Sequence, residues 1–425
     1  MYYFITFLFV LLAGKGTFFD DANICWFIIE AIMLWVGLEK RRILKSDLQL
    51  FGKFALAYIG FCTFRSLFFT QLPLRYWLSD VTFLFKFLLP SFIFCAVLKE
   101  KAVYYVTKVM IDLAILSLPL YCLQLISGDL VYSIGKAINL PYAHFDGYVN
   151  MLVFTYVKVH AIRNSGFSWE PGAFGFFLIM SLMLHWLTNN FKYDTRAKLV
   201  TIAIITTLST TTYIAFAILL LLYFRARGVR FATLLVFIVP FLCVAATSLP
   251  FLFDKIVDTY NKDMLDIKNI NTLSKTYIEM GRVMPLNRFG SMLFLVDSFG
   301  SRLFLGVSNL YKQTVPVLHN ISISNGIFAF CSQFGAVGLA YLFYRSYQFF
   351  RIYINPELTI YCLLTMLILG FGECIYLSSL LLAFLFLYHY ARPEPATEEI
   401  SEMDEFNYTV SERPAYFNKL SNKSL

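Results

Sequence analysis

The stretch RNSGFSWEPG, Arg163–Gly172, leads directly into the apolar run AFGFFLIMSLML and decides how the rest of the chain is arranged. Pro171 lacks an N–H donor and therefore fits the first turn of a helix. Glu170 beside that N-terminus is favoured by the helix dipole, and Trp169 suits the level of lipid headgroups. The stretch predicts a helix that enters a membrane just after Gly172. Equally, these residues could cap and anchor that helix and do nothing more, which is a common arrangement.

The composition indicates a membrane protein. The 425 residues are 59% hydrophobic and 18% aromatic, and the mean hydropathy is +0.66. A soluble domain with this balance would leave too much apolar surface in water. Many apolar runs approach the roughly 20 residues that cross a bilayer as a helix. They are not alternating patterns of the barrel type, so we predict an all-α polytopic membrane protein.

Several other classes are excluded by the same sequence. The eight cysteines lie in or at the edge of apolar runs and are interpreted as small core residues. No histidine–carboxylate spacing indicates a metal site, and no glycine pattern indicates a nucleotide site. The net charge of +8 is not gathered on a soluble face that could bind nucleic acid. We therefore expect no metal, no cofactor and no nucleic-acid partner.

The distribution of basic residues predicts the topology. The strongest basic cluster is EKRRILK, Glu39–Lys45, and basic loops collect in the cytoplasm. Counting apolar runs from that cluster gives about twelve spans with both termini cytoplasmic. The membrane domain covers residues 1–391, with two large external loops at about 128–172 and 251–320. The acidic tail 392–425 is expected to be disordered in the cytoplasm.

The run Leu199–Phe224 is basic at both ends, which a single span does not explain. As one helix it would be about 39 Å long, and it would place the arginines at 225–230 outside, against the positive-inside rule. We therefore predict two short arms that meet at the polar turn Ser209–Thr212. The second external loop then shares a face with Arg163. A single span would instead put the two in opposite compartments.

Candidate anion-binding residues lie in the second external loop and near the outer ends of helices. The segment Arg288–Ser308 mixes arginines with apolar residues and predicts an amphipathic helix on the membrane. Arginine suits phosphate oxygens because its donors form a planar fork, although most exposed charges are simply solvated. Arg65 and Lys86 lie below the outer ends of their predicted helices. Such cations face a cavity, pair with another group or snorkel outward, and we favour snorkelling for Arg65.

One histidine stands out by its position. His319 and Asn320 end the second external loop, just before a membrane helix. A neutral imidazole at such a place can take a proton from a sugar hydroxyl. A lone histidine is more often structural, and the sequence does not decide between the two.

Three motifs occur in a recognisable order. They are RNSGFSWEPG, the sequence LSTTTYIAFAILL at Leu208–Leu220, and a large loop ending in HN before FGAVGL at Phe334–Leu339. In this order the chain resembles the O-antigen polymerase (Wzy-type) and O-antigen ligase superfamily of bacterial polysaccharide polymerases. Ligase-type members usually carry an arginine after the hairpin serine, where this chain has Thr210–Thr212. That difference favours the polymerases.

The resemblance implies a GT-C-like, metal-independent glycosyltransferase in the bacterial plasma (inner) membrane. It would join undecaprenyl-diphosphate-linked repeat units into O-antigen or exopolysaccharide at the outer face, and a chain-length regulator protein is a further partner it allows. It implies a base at His319 and catalytic roles for Arg288, Arg163 and Glu170. The residues expected to hold the diphosphate or glycan are Arg282, Arg302, Arg65, Lys86, Asn320 and Trp169. An O-antigen ligase and a lipid-linked oligosaccharide flippase or transporter remain the alternatives.

Overall fold

The computed structural model describes residues 1–14, 23–138, 147–229, 260–280 and 283–391. This part is mostly α-helical. Four of its helices are long and apolar enough to cross a membrane: Leu74–Leu98, Lys101–Ile126, Pro171–Thr188 and Gly326–Phe350. Three shorter apolar helices accompany them: Tyr2–Ala13, Thr210–Ala226 and Pro356–Gly372. The all-α membrane class is thus supported. The count of about twelve spans stays a prediction, because the apolar run at 231–250 and the tail 392–425 lie outside the described residues.

The helices follow the predicted apolar runs closely. The first part of the chain contains α1 Tyr2–Ala13, α2 Asn23–Glu39, α3 Lys45–Phe64, α4 Leu74–Phe83, α5 Leu89–Leu98, α6 Lys101–Ile126 and α7 Gly128–Ile138. Two π-helical segments, Arg65–Thr70 and Leu84–Leu88, extend α3 and join α4 to α5. Such π-turns rotate the side chains that follow them and are frequent at functional sites.

The second part continues with the hairpin strands β1 Tyr148–Asn150 and β2 Thr155–Val157, which the sequence did not predict. The remaining elements are α8 Pro171–Thr188, α9 Thr195–Thr206, α10 Thr210–Ala226, α11 Ile270–Glu279, β3 Met284–Pro285, α12 Arg288–Phe299, β4 Ile321–Ser322, α13 Gly326–Phe350, α14 Pro356–Gly372, α15 Ser379–Leu382 and α16 Phe384–Tyr390. Short parallel strands β3 and β4 join the start of α12 to the start of α13. The predicted amphipathic helix of the second loop is α12.

Helix α8 is the centre of the bundle. It is apolar on every side, as expected of a helix surrounded by protein, and 94% of its 18 residues are buried. It begins as the sequence predicts, with Glu170 as its N-cap and Pro171 in the first turn. Helices α6, α9 and α10 pack around it. Residues Arg163–Gly172 therefore lead into the most enclosed helix of the fold.

The chain doubles back between α9 and α10. At the start of α9, Asp194 contacts His185 near the end of α8 at 3.1 Å. At the other end, Thr206 bonds Asn164 at 3.0 Å, just before α8. Helix α10 then returns alongside α8, so that the Tyr223 ring lies 4.7 Å from the Trp186 ring, centroid to centroid. The predicted hairpin is present, but the chain reverses at residues 207–209, where Leu208 has φ 46°, and Thr210–Thr212 of the predicted turn lie in the first turn of α10. The reversal lies at the same end of the bundle as Arg163.

One end of the bundle carries the basic cluster Glu39–Lys45. There Arg42 pairs with Glu100 at 2.8 Å and Lys99 faces Asp47 at 4.0 Å. Tyr390, near the last described residue, bonds the same Asp47 at 3.1 Å. We call this the basic end. The opposite end, called the site end, carries the α9–α10 reversal, the starts of α8 and α13, and the loops between helices.

The loops of the site end fold into small cores of their own. Helix α7 packs on β1 and β2 around Val131, Val149 and Phe154. The second loop buries a separate apolar cluster that includes Leu295 of α12 and Leu318. These loops are therefore structured layers over one end of the bundle, and they hold the polar residues of that end in fixed positions.

Candidate functional site

The site is built around Glu373, the residue at which α14 ends. Its carboxyl is 4% exposed and accepts a hydrogen bond from Arg288 Nη2 at 3.1 Å. The same arginine donates from Nε to the carbonyl of Gly372 at 2.7 Å. Arg288 is the first residue of α12, whose N-cap Asn287 accepts from the backbone of Gly290. The loop helix is thus held against the end of a bundle helix by one arginine.

Glycines let three helix ends meet at Glu373. A Cβ at Gly172, in the first turn of α8, would overlap Oε1 of Glu373 and lie 3.6 Å from Ser209 Oγ. A Cβ at Gly326, the first residue of α13, would overlap the carbonyl of Glu373. These positions lack a side chain because the carboxyl and its backbone occupy that space. The start of α8, the α9–α10 reversal and the start of α13 therefore surround one buried carboxyl group.

Arg163 reaches the same region from the first loop. Its Nε donates to the carbonyl of Thr207 in the reversal at 3.1 Å. The neighbouring Asn164 is fully buried and donates to Ser117 of α6 at 3.1 Å as well as to Thr206. Asn164 thereby fixes the loop backbone. Arg163 is half-buried, and because its anchoring bond uses only Nε, the two terminal nitrogens can still take a further anion.

Two carboxyl groups lie side by side. Burial raises the pKa of Glu373 well above 4.5, the neighbouring carboxyl of Glu170 raises it further, and Arg288 opposes both effects. Glu170 also accepts from the indole N–H of Trp169 at 3.0 Å. Burial and the nearby Arg163 lower the pKa of His160, which Glu170 partly counters. The raised pKa of Glu373 favours the protonated form of its carboxyl, which can then hydrogen-bond the neighbouring carboxyl of Glu170.

The arrangement brings groups that can bind an anion close to groups that can transfer a proton. Two guanidinium groups, Arg163 and Arg288, can hold an anion with several oxygens. The neighbouring carboxyls of Glu170 and Glu373 can take up or release a proton. Arg288 is 38% exposed while Glu373 is buried beneath it. The arginine therefore lies between the open side of the site and the carboxyl pair.

Four of the predicted site residues are brought together, and others are not. Arg163, Trp169, Glu170 and Arg288 meet at the site end, as described above. His319 is exposed, and among the described residues it has no hydrogen bond or ion pair to any member of this cluster. The remaining loop residues are placed as follows: Arg302 is exposed and likewise unpaired within the described chain, Asn320 is half-buried at the end of a 3-10 turn, and Arg282 lies outside the described residues.

The expectation that Arg65 snorkels outward is wrong. Its side chain is 1% exposed and forms a salt bridge with Asp80, which is 2% exposed. It also donates to the carbonyl of Gln333 in α13. Asp80 in turn accepts from the backbone N–H of Asn309 at 2.7 Å, and Ser308 donates to it at 3.2 Å. Arg65 therefore connects α3, α4, α13 and the second loop, and its charge is neutralised by Asp80.

Lys86 lies in the second π-helical segment and is half-buried. Its ammonium lies 5.0 Å from the centroid of the Phe87 ring. Within the described residues it forms no ion pair, and no contact links it to Glu373 or Arg288. Its predicted contact with substrate stays a prediction.

Glu373 was missed by the sequence reasoning, although a signal was present. It is a single carboxylate between two apolar runs, in the sequence GFGEC. An ionisable residue between membrane segments is by default a candidate functional residue. The glycines beside it indicate close approach of another chain segment. Neither feature identifies Arg288 or Glu170 as its partner.

Comparison of the chain with models of protein families, with curated proteins and with solved structures finds no match.

Proposed function

We propose that this protein is a membrane glycosyltransferase, a polysaccharide polymerase that joins oligosaccharide repeat units carried on undecaprenyl diphosphate. The observation that supports the proposal most is the convergence of Arg163, Glu170, Arg288 and Glu373 at one end of the bundle. These residues come from three separate stretches of the chain. Two cations above a pair of neighbouring carboxyls match what the transfer of a sugar from a diphosphate requires.

The arginines act on the leaving group. When the bond between the anomeric carbon and the diphosphate oxygen breaks, negative charge grows on that oxygen. Arg163 and Arg288 stabilise this charge, because donors already fixed in place need no rearrangement during the reaction. The backbone carbonyls of Thr207 and Gly372 hold the two guanidinium groups by their Nε atoms. The remaining donors, which for Arg288 are those not bonded to Glu373 through Nη2, are then available to the substrate.

The carboxyl pair acts on the acceptor. A sugar hydroxyl of the acceptor attacks the anomeric carbon, its oxygen forms the new glycosidic bond, and its proton passes to the pair formed by Glu170 and Glu373. The diphosphate leaves with the electrons of the broken bond. Since His319 is exposed and outside this cluster, we assign the base to the carboxyl pair in place of His319.

The orientation of the reaction follows from charge. Basic residues gather at the end opposite to Glu373, and basic loops favour the cytoplasm. The site end would then face the periplasm or the outside of the cell, where lipid-linked glycans are joined. Both described chain ends, near Tyr2 and Tyr390, lie at the basic end. A chain-length regulator would approach the outer loops.

The decisive experiment uses purified protein with an undecaprenyl-diphosphate-linked repeat unit. Wild type is expected to produce a ladder of longer lipid-linked glycans and free undecaprenyl diphosphate. Arg288→Lys and Glu373→Gln should abolish the ladder, and His319→Ala should retain it. Release of undecaprenyl diphosphate only when a separate lipid acceptor is added would assign the chain to the ligases. Absence of product with every acceptor would contradict the proposal.

A lipid-linked oligosaccharide transporter is the second candidate. Interrupted helices with free N-termini are typical of transporters that bind anionic groups. This chain has two π-helical segments, and α13 is broken at Gly335, where φ is 75°. In cells that lack the gene, a transporter leaves lipid-linked units trapped on the cytoplasmic side, whereas a polymerase leaves single repeat units at the surface. Glycan analysis of the deletion strain separates the two.

A further inference from the structure

A groove of about 510 Å³ runs along α13 from Phe330 towards the basic end, between α3 and α16. Residues of α3 line it at every third or fourth position from Leu50 to Phe61, over about 16 Å of helix. Val337 and Tyr341 line it and are 40% and 43% exposed. The groove therefore opens at the side of α13, a helix long and apolar enough to cross a membrane.

The end of the groove at the basic end carries two cations. Lys53 and Arg345 line it there together with His389, whose Nε2 accepts a hydrogen bond from Arg345. Arg345 is 8% exposed, donates to the carbonyl of Leu385 at 3.0 Å and to Gln348 at 2.7 Å, and contacts His389. A guanidinium carries five N–H donors, so two of them have no partner among the described residues. Lys53 is exposed and its ammonium has no carboxylate partner in the described chain.

No charged residue lines the other end of the groove, which is formed by Phe61, Phe83 and Phe334. Arg65 beyond Phe61 and Asp80 before Phe83 neutralise each other. Lys86 lies between the lining residues Phe83 and Leu88 but does not line the groove itself. An amphiphile with an anionic head would thus place its head at the basic end and its chain towards Phe61. The length of about 16 Å is roughly half of the ~30 Å hydrocarbon core, which is one leaflet.

We propose that this groove binds an acyl chain of an anionic phospholipid whose phosphate lies among Lys53, Arg345 and His389. The volume falls within the roughly 300–1,000 Å³ of small-molecule sites. The lipid head lies at the end opposite to Arg288, so this site is separate from the proposed transfer reaction. It connects α3, α13 and α16, and the lipid therefore holds the bundle together at the basic end.

The test measures lipid binding by delipidated full-length protein in detergent, using native mass spectrometry with dioleoyl phosphatidylglycerol and dioleoyl phosphatidylcholine. Phosphatidylglycerol is expected to bind at least about fivefold more tightly, since one cation contributes about a fivefold preference for an anionic lipid. Lys53→Gln should remove about that factor. Arg351→Gln, an exposed cation of the same end that does not line the groove, is the matched control and should leave the preference unchanged.

A second pair of variants tests the apolar part. Ala57 lines the groove, whereas its neighbour Leu56 is 74% exposed and does not. Ala57→Trp should fill the groove and weaken binding of both lipids at least about tenfold, and Leu56→Trp should change neither. This pair tests the apolar part of the groove independently of the cation variants.

Four outcomes would overturn the proposal. Equal binding of the two lipids by wild type would show that the protein does not select an anionic lipid. Equal effects of Lys53→Gln and Arg351→Gln would show that general surface charge causes the preference. Unchanged binding in Ala57→Trp would place the lipid elsewhere. Displacement of phosphatidylglycerol by undecaprenyl phosphate, with binding that requires Arg288 and not Lys53, would assign the groove to the tail of the sugar donor.

Discussion

The guanidinium of Arg288 donates to the buried carboxyl of Glu373 across 3.1 Å, although 85 residues separate them in the sequence. The pair joins the outer loop layer to the end of a bundle helix. Glu373 is 4% exposed and Arg288 is 38% exposed. The carboxyl therefore depends on a partner that solvent or a substrate can reach, which makes the pair responsive to whatever binds above it.

Loss of Arg288 alone should destabilise the protein. Arg288→Ala leaves Glu373 buried without its cation, and we expect a loss of roughly 1–3 kcal/mol in the free energy of unfolding, reduced by the partial exposure of the arginine. Thermal unfolding in detergent measures it. The double variant Arg288→Ala with Glu373→Gln should recover most of the stability while remaining inactive. Equal instability of the single and double variants would show that the two side chains do not interact.

Stability should depend on pH through Glu373. Its pKa is raised in the folded protein, so the folded state holds this proton more tightly than the unfolded state. The stabilisation is complete below its ordinary value of 4.5 and is lost as pH rises through the raised value. Melting temperatures between about pH 5 and pH 9 should fall for wild type more steeply than for Glu373→Gln. Glu279→Gln, at an exposed acid, is the control, and parallel curves for wild type and Glu373→Gln would contradict the assignment.

The absence of a side chain at Gly172 is expected to be essential. A Cβ there overlaps Oε1 of Glu373, so Gly172→Ala must displace the carboxyl or the start of α8. We expect polymer formation to fall at least about tenfold, because displacement of a reacting group by about 1 Å can cost a hundredfold. Gly60→Ala is the matched control, since a Cβ at Gly60 meets nothing within 4 Å. It should leave activity unchanged and stabilise α3 by up to about 1 kcal/mol.

Arg65 is expected to stabilise the folded protein. Arg65→Met leaves Asp80 buried without its cation and should cost about 3–5 kcal/mol. The double variant Arg65→Met with Asp80→Asn should recover much of this, because the neutral amide oxygen of the new side chain can still accept from Ser308 and Asn309. Thermal unfolding and polymer length are measured on the same preparations. A stable double variant that makes no polymer would restore the predicted role of Arg65 in substrate binding.

Much of the fold could be predicted because long apolar runs have few alternatives. The run predicted at 173–187 is α8 at Pro171–Thr188. The reversal near Ser209 was predicted because basic residues at both ends of one apolar run are incompatible with a single crossing. Positions such as these depend on local composition, which the sequence displays directly.

The site was only partly predictable, because its contacts join distant stretches. Arg163, Glu170 and Arg288 were selected as residue types suited to a diphosphate, and the structure brings them to one end. Glu373 was not selected, since nothing near it in the sequence identifies its partners. Arg65 begins a π-helical segment and pairs with Asp80 in the next helix, and no pattern in the sequence indicates that segment.

The two ends of the bundle should be accessible from opposite sides of the membrane. His319 is exposed at the loop layer of the site end, and Lys192 is exposed in the turn between α8 and α9, at the basic end. In a cysteine-free background, His319→Cys should react with an impermeant maleimide on spheroplasts, and Lys192→Cys should react only after the membrane is opened. The opposite result would place the site end in the cytoplasm, where lipid-linked repeat units are not joined. Reaction at both positions before opening would show that residues 192 and 319 do not lie on different sides of the membrane.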